Sequence, residues 1–147
     1  MNSLLNDCEI IPVLGYYAAA QSKRTSDIVD MDGYEGVLFV ALLGTLLENG
    51  TLDVFVEQHT LNQTSGMARV ATTTLHTVTA AHALLAKSAI AVDIFQPRER
   101  YLQCNVTPAV ANAVICGVIA IKYKGTKAPA VTTNLLKSTY LQSPAEA

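Results

Sequence analysis

The hydrophobic pattern of this chain has a period of two through most of its length, which is the spacing of β-strands. The clearest stretch is Asp93–Gly125. In Arg100–Thr107, Leu102, Cys104 and Val106 share one face and Tyr101, Gln103 and Asn105 the other. Ala113–Tyr123 is apolar on both faces. Strict alternation puts Val114, Cys116, Val118 and Ala120 on one side and Ile115, Ile119 and Ile121 on the other. A strand of this kind must be covered on both sides, and in a small chain one cover can be another subunit. Gly36–Leu47 has the same two-faced character. It is followed by Glu48-Asn49-Gly50 and then by Thr51–Gln58, where Leu52, Val54 and Val56 alternate with Asp53, Phe55 and Glu57. The Asn-Gly pair predicts a hairpin turn between these two segments. A helix is the rival reading for VLFVALLGTLL; Gly44 and the closing Asn-Gly favour a strand.

Further strands are predicted at Val13–Gln21 and Ser88–Gln96, the second closed by Pro97. Ser22–Ser26 reads as a loop, and Asp32-Gly33 as a tight turn. Residues 59–77 are rich in Thr, Gln, Asn, Ser and Gly and predict a long excursion with one short strand. Val78–Lys87 is the one short helix candidate, because of its Ala and Leu content. The expected class is all-β, a β-sandwich or jelly-roll-like barrel with extended terminal arms and at most one short helix. The expected organisation is an N-terminal arm at 1–12, a core domain at 13–125 and a C-terminal arm at 126–147, with one further strand candidate at Ala130–Leu136. If the last hairpin turns about Val110, Leu102 pairs with Val118, Cys104 with Cys116 and Val106 with Val114. Cys104 and Cys116 are then neighbours in the core, and replacing Cys116 with Asp would cost several kcal/mol.

Composition sharpens the picture. A 147-residue chain favours one domain. Half of its residues are hydrophobic and 15% are charged, against about 25% in an ordinary domain. Its surface is therefore unusually neutral or partly covered by an assembly. The net charge of −2 and the scattered cations, densest at Lys23-Arg24 and Lys122–Lys127, argue against nucleic-acid binding. Gly36–Leu47 is too short to span a bilayer as a helix, and no membrane association is expected. The N-terminal residues lack a secretory signal pattern, so the Asn-x-Thr sequences at Asn49, Asn62 and Asn105 are read as chance matches. Cys8, Cys104 and Cys116 match neither a disulfide framework nor a zinc motif and are expected to be reduced.

No catalytic, cofactor or metal site can be assigned. His76 and His82 are six apart, off the spacing that puts two ligands on one helical face, and His59 stands alone. Asp27, Asp30 and Asp32 could approach a cation, but the glutamate that closes a calcium loop is missing, and solvated turn carboxylates are the plainer account. Asp93, Arg98, Glu99 and Arg100 read as a salt-bridged approach to the last hairpin or as a contact between subunits. Gly-rich phosphate loops and nucleophile elbows are absent from the sequence.

Two segments, MDGYEGVLFVALLGTLLENGTLDVFVEQ and FQPRERYLQCNVTPAVANAVICGVIAIKYKG, resemble a family of small virion proteins of tailed bacteriophages. The shared pattern is an Asp-Gly turn into a long apolar strand and a Pro-Arg-Tyr approach to a hairpin. An apolar strand ending in Lys-Tyr follows, then a Ser-Pro-Ala-Glu tail at Ser143–Glu146. The resemblance covers Met31–Gln58, Asp93–Gly125 and that tail. It implies a capsid decoration, or cement, protein without an active site. Such a protein binds the major capsid protein lattice on the virion exterior, often as a homotrimer, after synthesis in the bacterial host cytoplasm. A head–tail joining or tail component and a small-ligand-binding β-barrel are the alternatives. An enzyme has no supporting residue set.

Overall fold

The computed structural model describes residues 3–70, 75–126, 129 and 134–140. The elements run α1 (Leu4–Asp7), β1 (Glu9–Leu14), β2 (Tyr17–Ala20), β3 (Arg24–Asp30), β4 (Gly36–Leu46), β5 (Thr51–His59) and β6 (Ala68–Arg69). Then come β7 (Leu75–Thr77), α2 (Ala80–Ala83), β8 (Ser88–Phe95), β9 (Tyr101–Ala109) and β10 (Ala113–Tyr123). They form two antiparallel five-stranded sheets, so the class is all-β and the architecture a sandwich. Sheet A has the order β1-β10-β4-β8, with β2 also on β10. Sheet B has the order β3-β9-β5-β6, with β7 also on β5. Val37, Phe39 and Ala41 of β4 and Val118 and Ala120 of β10 meet Leu52, Val54 and Val56 of β5 and Leu102, Cys104 and Val106 of β9. All eleven are buried and form the core between the sheets.

The two predicted hairpins are not hairpins. β4 lies in sheet A and β5 in sheet B, and β9 and β10 are divided in the same way. Each turn therefore carries the chain from one sheet to the other, as an arch. The Asn49-Gly50 turn is held by Val78: the Asn49 N–H donates to the Val78 carbonyl at 2.9 Å and the Val78 N–H to the Gly50 carbonyl at 2.8 Å. At the second turn Val110 has φ 68°, so the turn sits where the sequence places it. The pairing is different: Leu102, Cys104 and Val106 lie opposite Gln58, Val56 and Val54 of β5. The Cys104–Cys116 contact is thus overturned. Cys104 is buried and Cys116 is exposed.

A bulge explains the second half of that correction. The register of β10 with β4 shifts between Ile115 and Gly117. Strict alternation is broken there, so Ile115 joins Val118 and Ala120 in the core while Cys116 turns outward with Ile119 and Ile121. Gly117 makes this possible. Its φ of 154° is one that side chains avoid, and a Cβ there would lie 2.8 Å from the Leu14 carbonyl oxygen.

The arm at 1–12 is also corrected. Glu9–Leu14 is strand β1, paired with β10 from Glu9–Lys122 onward. The charges that make both ends look solvated find each other. Lys122 Nζ lies 3.1 Å from Glu9 Oε2 and donates to the Asp30 carbonyl at 2.9 Å, and both side chains are nearly buried. The loop expected at Ser22–Ser26 gives way to β3 from Arg24, because its polar side chains complete the ladder. Thr25 Oγ1 donates to Asn105 Oδ1, and Ser26 Oγ accepts the Cys104 N–H at 3.0 Å across a bulge. The excursion at 59–77 holds two short strands, and the helix at Val78–Lys87 is one turn, capped by Thr79. With α1, that makes two short helices among the described residues. Of the strand candidate Ala130–Leu136, residues 130–133 lie outside the described residues and 134–136 are not in a strand.

Candidate interaction surface

The outer face of sheet A is apolar across four strands, and the register fixes its rows. One row is Pro12, Ile119, Val40 and Ala91; the next is Ile10, Ile121, Leu38 and Asp93. Leu42 and Ala89 continue it on one side, Tyr123 and Phe95 on the other. The aliphatic residues of β1, β10 and β4 in the two rows are half-buried by their neighbours, while Ala91 is exposed, and Leu42 is 42% and Phe95 51% exposed. Fully burying a residue of this size is worth roughly 1.5–3 kcal/mol relative to leaving it exposed, and covering these half-buried ones would add a fraction of that each. The polar groups gather at one end. The Tyr123 hydroxyl donates to Asp93 Oδ1 at 2.5 Å, and Lys124 Nζ stands 5.2 Å from the centre of the Phe95 ring. Burial, and then Asp93 accepting its proton, push the Tyr123 phenol up to about 12. The ring needs Gly36 beneath it, since any side chain at that position would collide with it.

The outer face of sheet B is polar and closed on itself. Asn105, fully buried, accepts from Thr25 and donates to Glu57 Oε2 at 3.2 Å. Gln103 donates to the Ser26 carbonyl at 2.7 Å. Arg69 grips Asp53 with two bonds of 3.0 and 3.1 Å and stacks over Phe55.

The titratable residues picked out by the sequence go elsewhere. His76 Nε2 and His82 Nδ1 lie 3.0 Å apart beside a pocket of about 250 Å³ lined by Leu43, Leu46, Leu85 and Ile90. His59 Nδ1 accepts the Leu61 N–H. Asp30 is held by Arg100 through bonds of 2.8 and 3.0 Å, and this hydrogen bonding holds its carboxyl below the ordinary range. Asp32 lies 3.8 Å from the same guanidinium, and Asp27 is exposed. Glu99 accepts from Thr60 and Asp93 from Tyr123, so Asp93, Arg98, Glu99 and Arg100 do not form one cluster. Among the described residues no group of three His, Cys, Asp or Glu could hold a metal ion, and no helix is long and apolar enough to cross a membrane.

The two-faced strands β4 and β10 were legible as the centre of the apolar face. Its β1 margin was missed, although EIIPVL is nearly unbroken in apolar residues. Its β8 margin was read as an ordinary alternating strand.

No protein-family profile and no curated protein matches the chain. Among solved structures it is similar to dimeric latent PorU from Porphyromonas gingivalis, at 10% identity and a TM-score of 0.46. That similarity covers 82% of this chain and 13% of the PorU chain.

Proposed function

We propose that the protein is a capsid decoration module of a bacteriophage virion, which binds the outer capsid lattice through the outer face of sheet A and stabilises the head. The observation that carries this reading is the four-strand apolar face with its polar groups confined to one end. Large apolar faces of this kind mark interaction sites. The sequence resemblance supplies the setting: the major capsid protein as partner and the capsid exterior as location.

Co-sedimentation with expanded capsids tests the reading. The protein should pellet with the shells at a fixed ratio to capsid subunits, and Val40→Asp or Ile119→Asp should abolish pelleting while circular dichroism stays unchanged. A few copies per particle would instead identify a head–tail or tail component. Pelleting unaffected by either substitution would remove this face from the contact.

A further inference from the structure

Among the described residues, every sheet edge except one carries a device that discourages strand addition. β2 is four residues long, and its register with β10 shifts between Ala113 and Ile115. β1 has Pro12 and a bulge between Pro12 and Leu14. β3 has a bulge between Thr25 and Ile28 and the charges Arg24, Asp27 and Asp30. β6 and β7 are two and three residues long. β8 differs: it pairs with β4 over eight consecutive residues without a register shift, contains no proline or lysine, and has one charge, Asp93. Among the described residues no strand pairs with its other side.

The hydrogen-bonding side of each β8 residue follows from the ladder. Gln96 N–H donates to the Glu35 carbonyl just beyond the Gly36–Phe95 pair. By alternation Ser88, Ile90, Val92 and Ile94 bond to β4, and Ala89, Ala91, Asp93 and Phe95 direct their N–H and C=O groups outward. We infer that β8 pairs antiparallel with β8 of a second copy across a two-fold axis, joining two A sheets edge to edge. The contact is isologous, so it closes at two copies.

Charge selects the register. Outward-bonding residues must face one another. A register that places Asp93 against Asp93 is repulsive, and one that places Asp93 against Ala91 leaves the two carboxylates diagonal neighbours at about 7–8 Å. Placing Ala91 on the axis sets Asp93 against Ala89 and separates the carboxylates by four further positions along the strand. Ile90 then meets Val92, extending the core across the joint. Each Asp93 keeps its own Tyr123 hydroxyl as partner. β8 lends its side chains to the apolar face, but the pairing uses its outward backbone groups, so it stands whether or not that face binds a capsid.

The test is the mass of the free protein and of five variants. Light scattering at about 100 μM should give twice the 15.7 kDa chain mass, and Cys116→Ser should leave it unchanged. In that background, Ala91→Cys should form a covalent dimer on mild oxidation, because hydrogen-bonded pairs lie about 5.5 Å apart at Cα, within disulfide reach. Ala89→Cys should not. Ala91→Pro removes two reciprocal hydrogen bonds at the axis without touching β4 and should weaken the dimer roughly 30-fold. Ala91→Lys places like charges on the axis and should also weaken it; it stands alone as the probe if the proline variant fails to fold. A monomer or trimer mass for the parent protein would overturn the inference. So would a dimer indifferent to Ala91→Lys, or equal cross-linking through Ala89 and Ala91.

Discussion

A line across the outer face of sheet A, following the register, meets Pro12, Ile119, Val40 and Ala91. The corresponding line across sheet B meets Ile28, Gln103, Glu57 and Arg69. Both sheets cover the same core, so the difference is not imposed by folding. On sheet B most polar side chains are bonded, with Gln103 Oε1 and Thr107 Oγ1 buried without a partner: Asn105 is bonded on both sides, Arg69 holds Asp53, and Gln103 Nε2 reaches the Ser26 carbonyl of β3. On sheet A the central residues Leu38, Val40, Ile119 and Ile121 offer no hydrogen bonds and gain only from being covered. One face completes the monomer, and the other is left apolar.

The largest effect expected from testing this contrast lies where sheet A closes onto β3. Lys122→Ala leaves Glu9 buried without its cation beside Tyr34, and should cost about 3–5 kcal/mol in urea denaturation. Combining Glu9→Gln with Lys122→Met should recover more than half of the loss. A loss below 1 kcal/mol would mean that the N-terminal strand is dispensable.

Next comes alkaline pH. Burial pushes the Cys104 thiol from 9.0 up to about 12. The unfolded chain releases this proton from pH 9 while the native state holds it, so stability is whole below pH 9 and falls as pH rises to 12. At about 1.4 kcal/mol per unit, the accumulated loss is on the order of 4 kcal/mol. Cys104→Ala should flatten the fall between pH 9 and 10. A smaller slope should remain from 10 to 12, where burial and Glu9 hold the Tyr34 proton and burial and Asp93 hold that of Tyr123.

Then come the faces themselves. Asn105→Ala unmakes the sheet B network and should cost about 1–3 kcal/mol. Leu42→Ser, on the exposed part of sheet A, should change monomer stability by less than about 0.5 kcal/mol while raising solubility. Equal losses for the two would abolish the distinction between a closed and an open face. The smallest energetic effect is that of Cys116→Ser, near zero. In the native protein Cys116 should react with a thiol reagent within minutes while Cys8 and Cys104 stay protected, and rapid labelling of Cys104 would show that β9 is not core.

The sandwich and most of its strands were legible because period-two alternation reports which residues share a face. It does not report which sheet a strand joins. Asn49-Gly50 and Val110 mark turns correctly, but a turn into a hairpin and a turn into an arch draw on the same residues. What separates them is the partner of Leu102 and Val106, and Gln58 and Val54 are far away in sequence. The exposed position of Cys116 was hidden for a second reason: a bulge at Gly117 reverses the phase of alternation, and one glycine in an apolar run does not announce it. Glu9 and Lys122 looked like solvated chain ends because a buried ion pair is invisible until both partners are placed.

The arches also govern how the chain can acquire its fold during synthesis. Among the described residues β10 is the last strand made, and it is the partner of β1, β2 and β4. Until Tyr123 has left the ribosome, β1 and β2 have no ladder, and β4 has only β8. Joining residues as distant as Glu9 and Lys122 places the fold among the slow, topologically complex β-proteins, which fold in roughly milliseconds to seconds. Throughout that wait the eleven residues of β4 lack their β10 partner along one edge and expose their apolar outer face, a condition under which nascent chains aggregate. A chain stopped before Ala113 should therefore accumulate as insoluble material, where the full chain is released and folds.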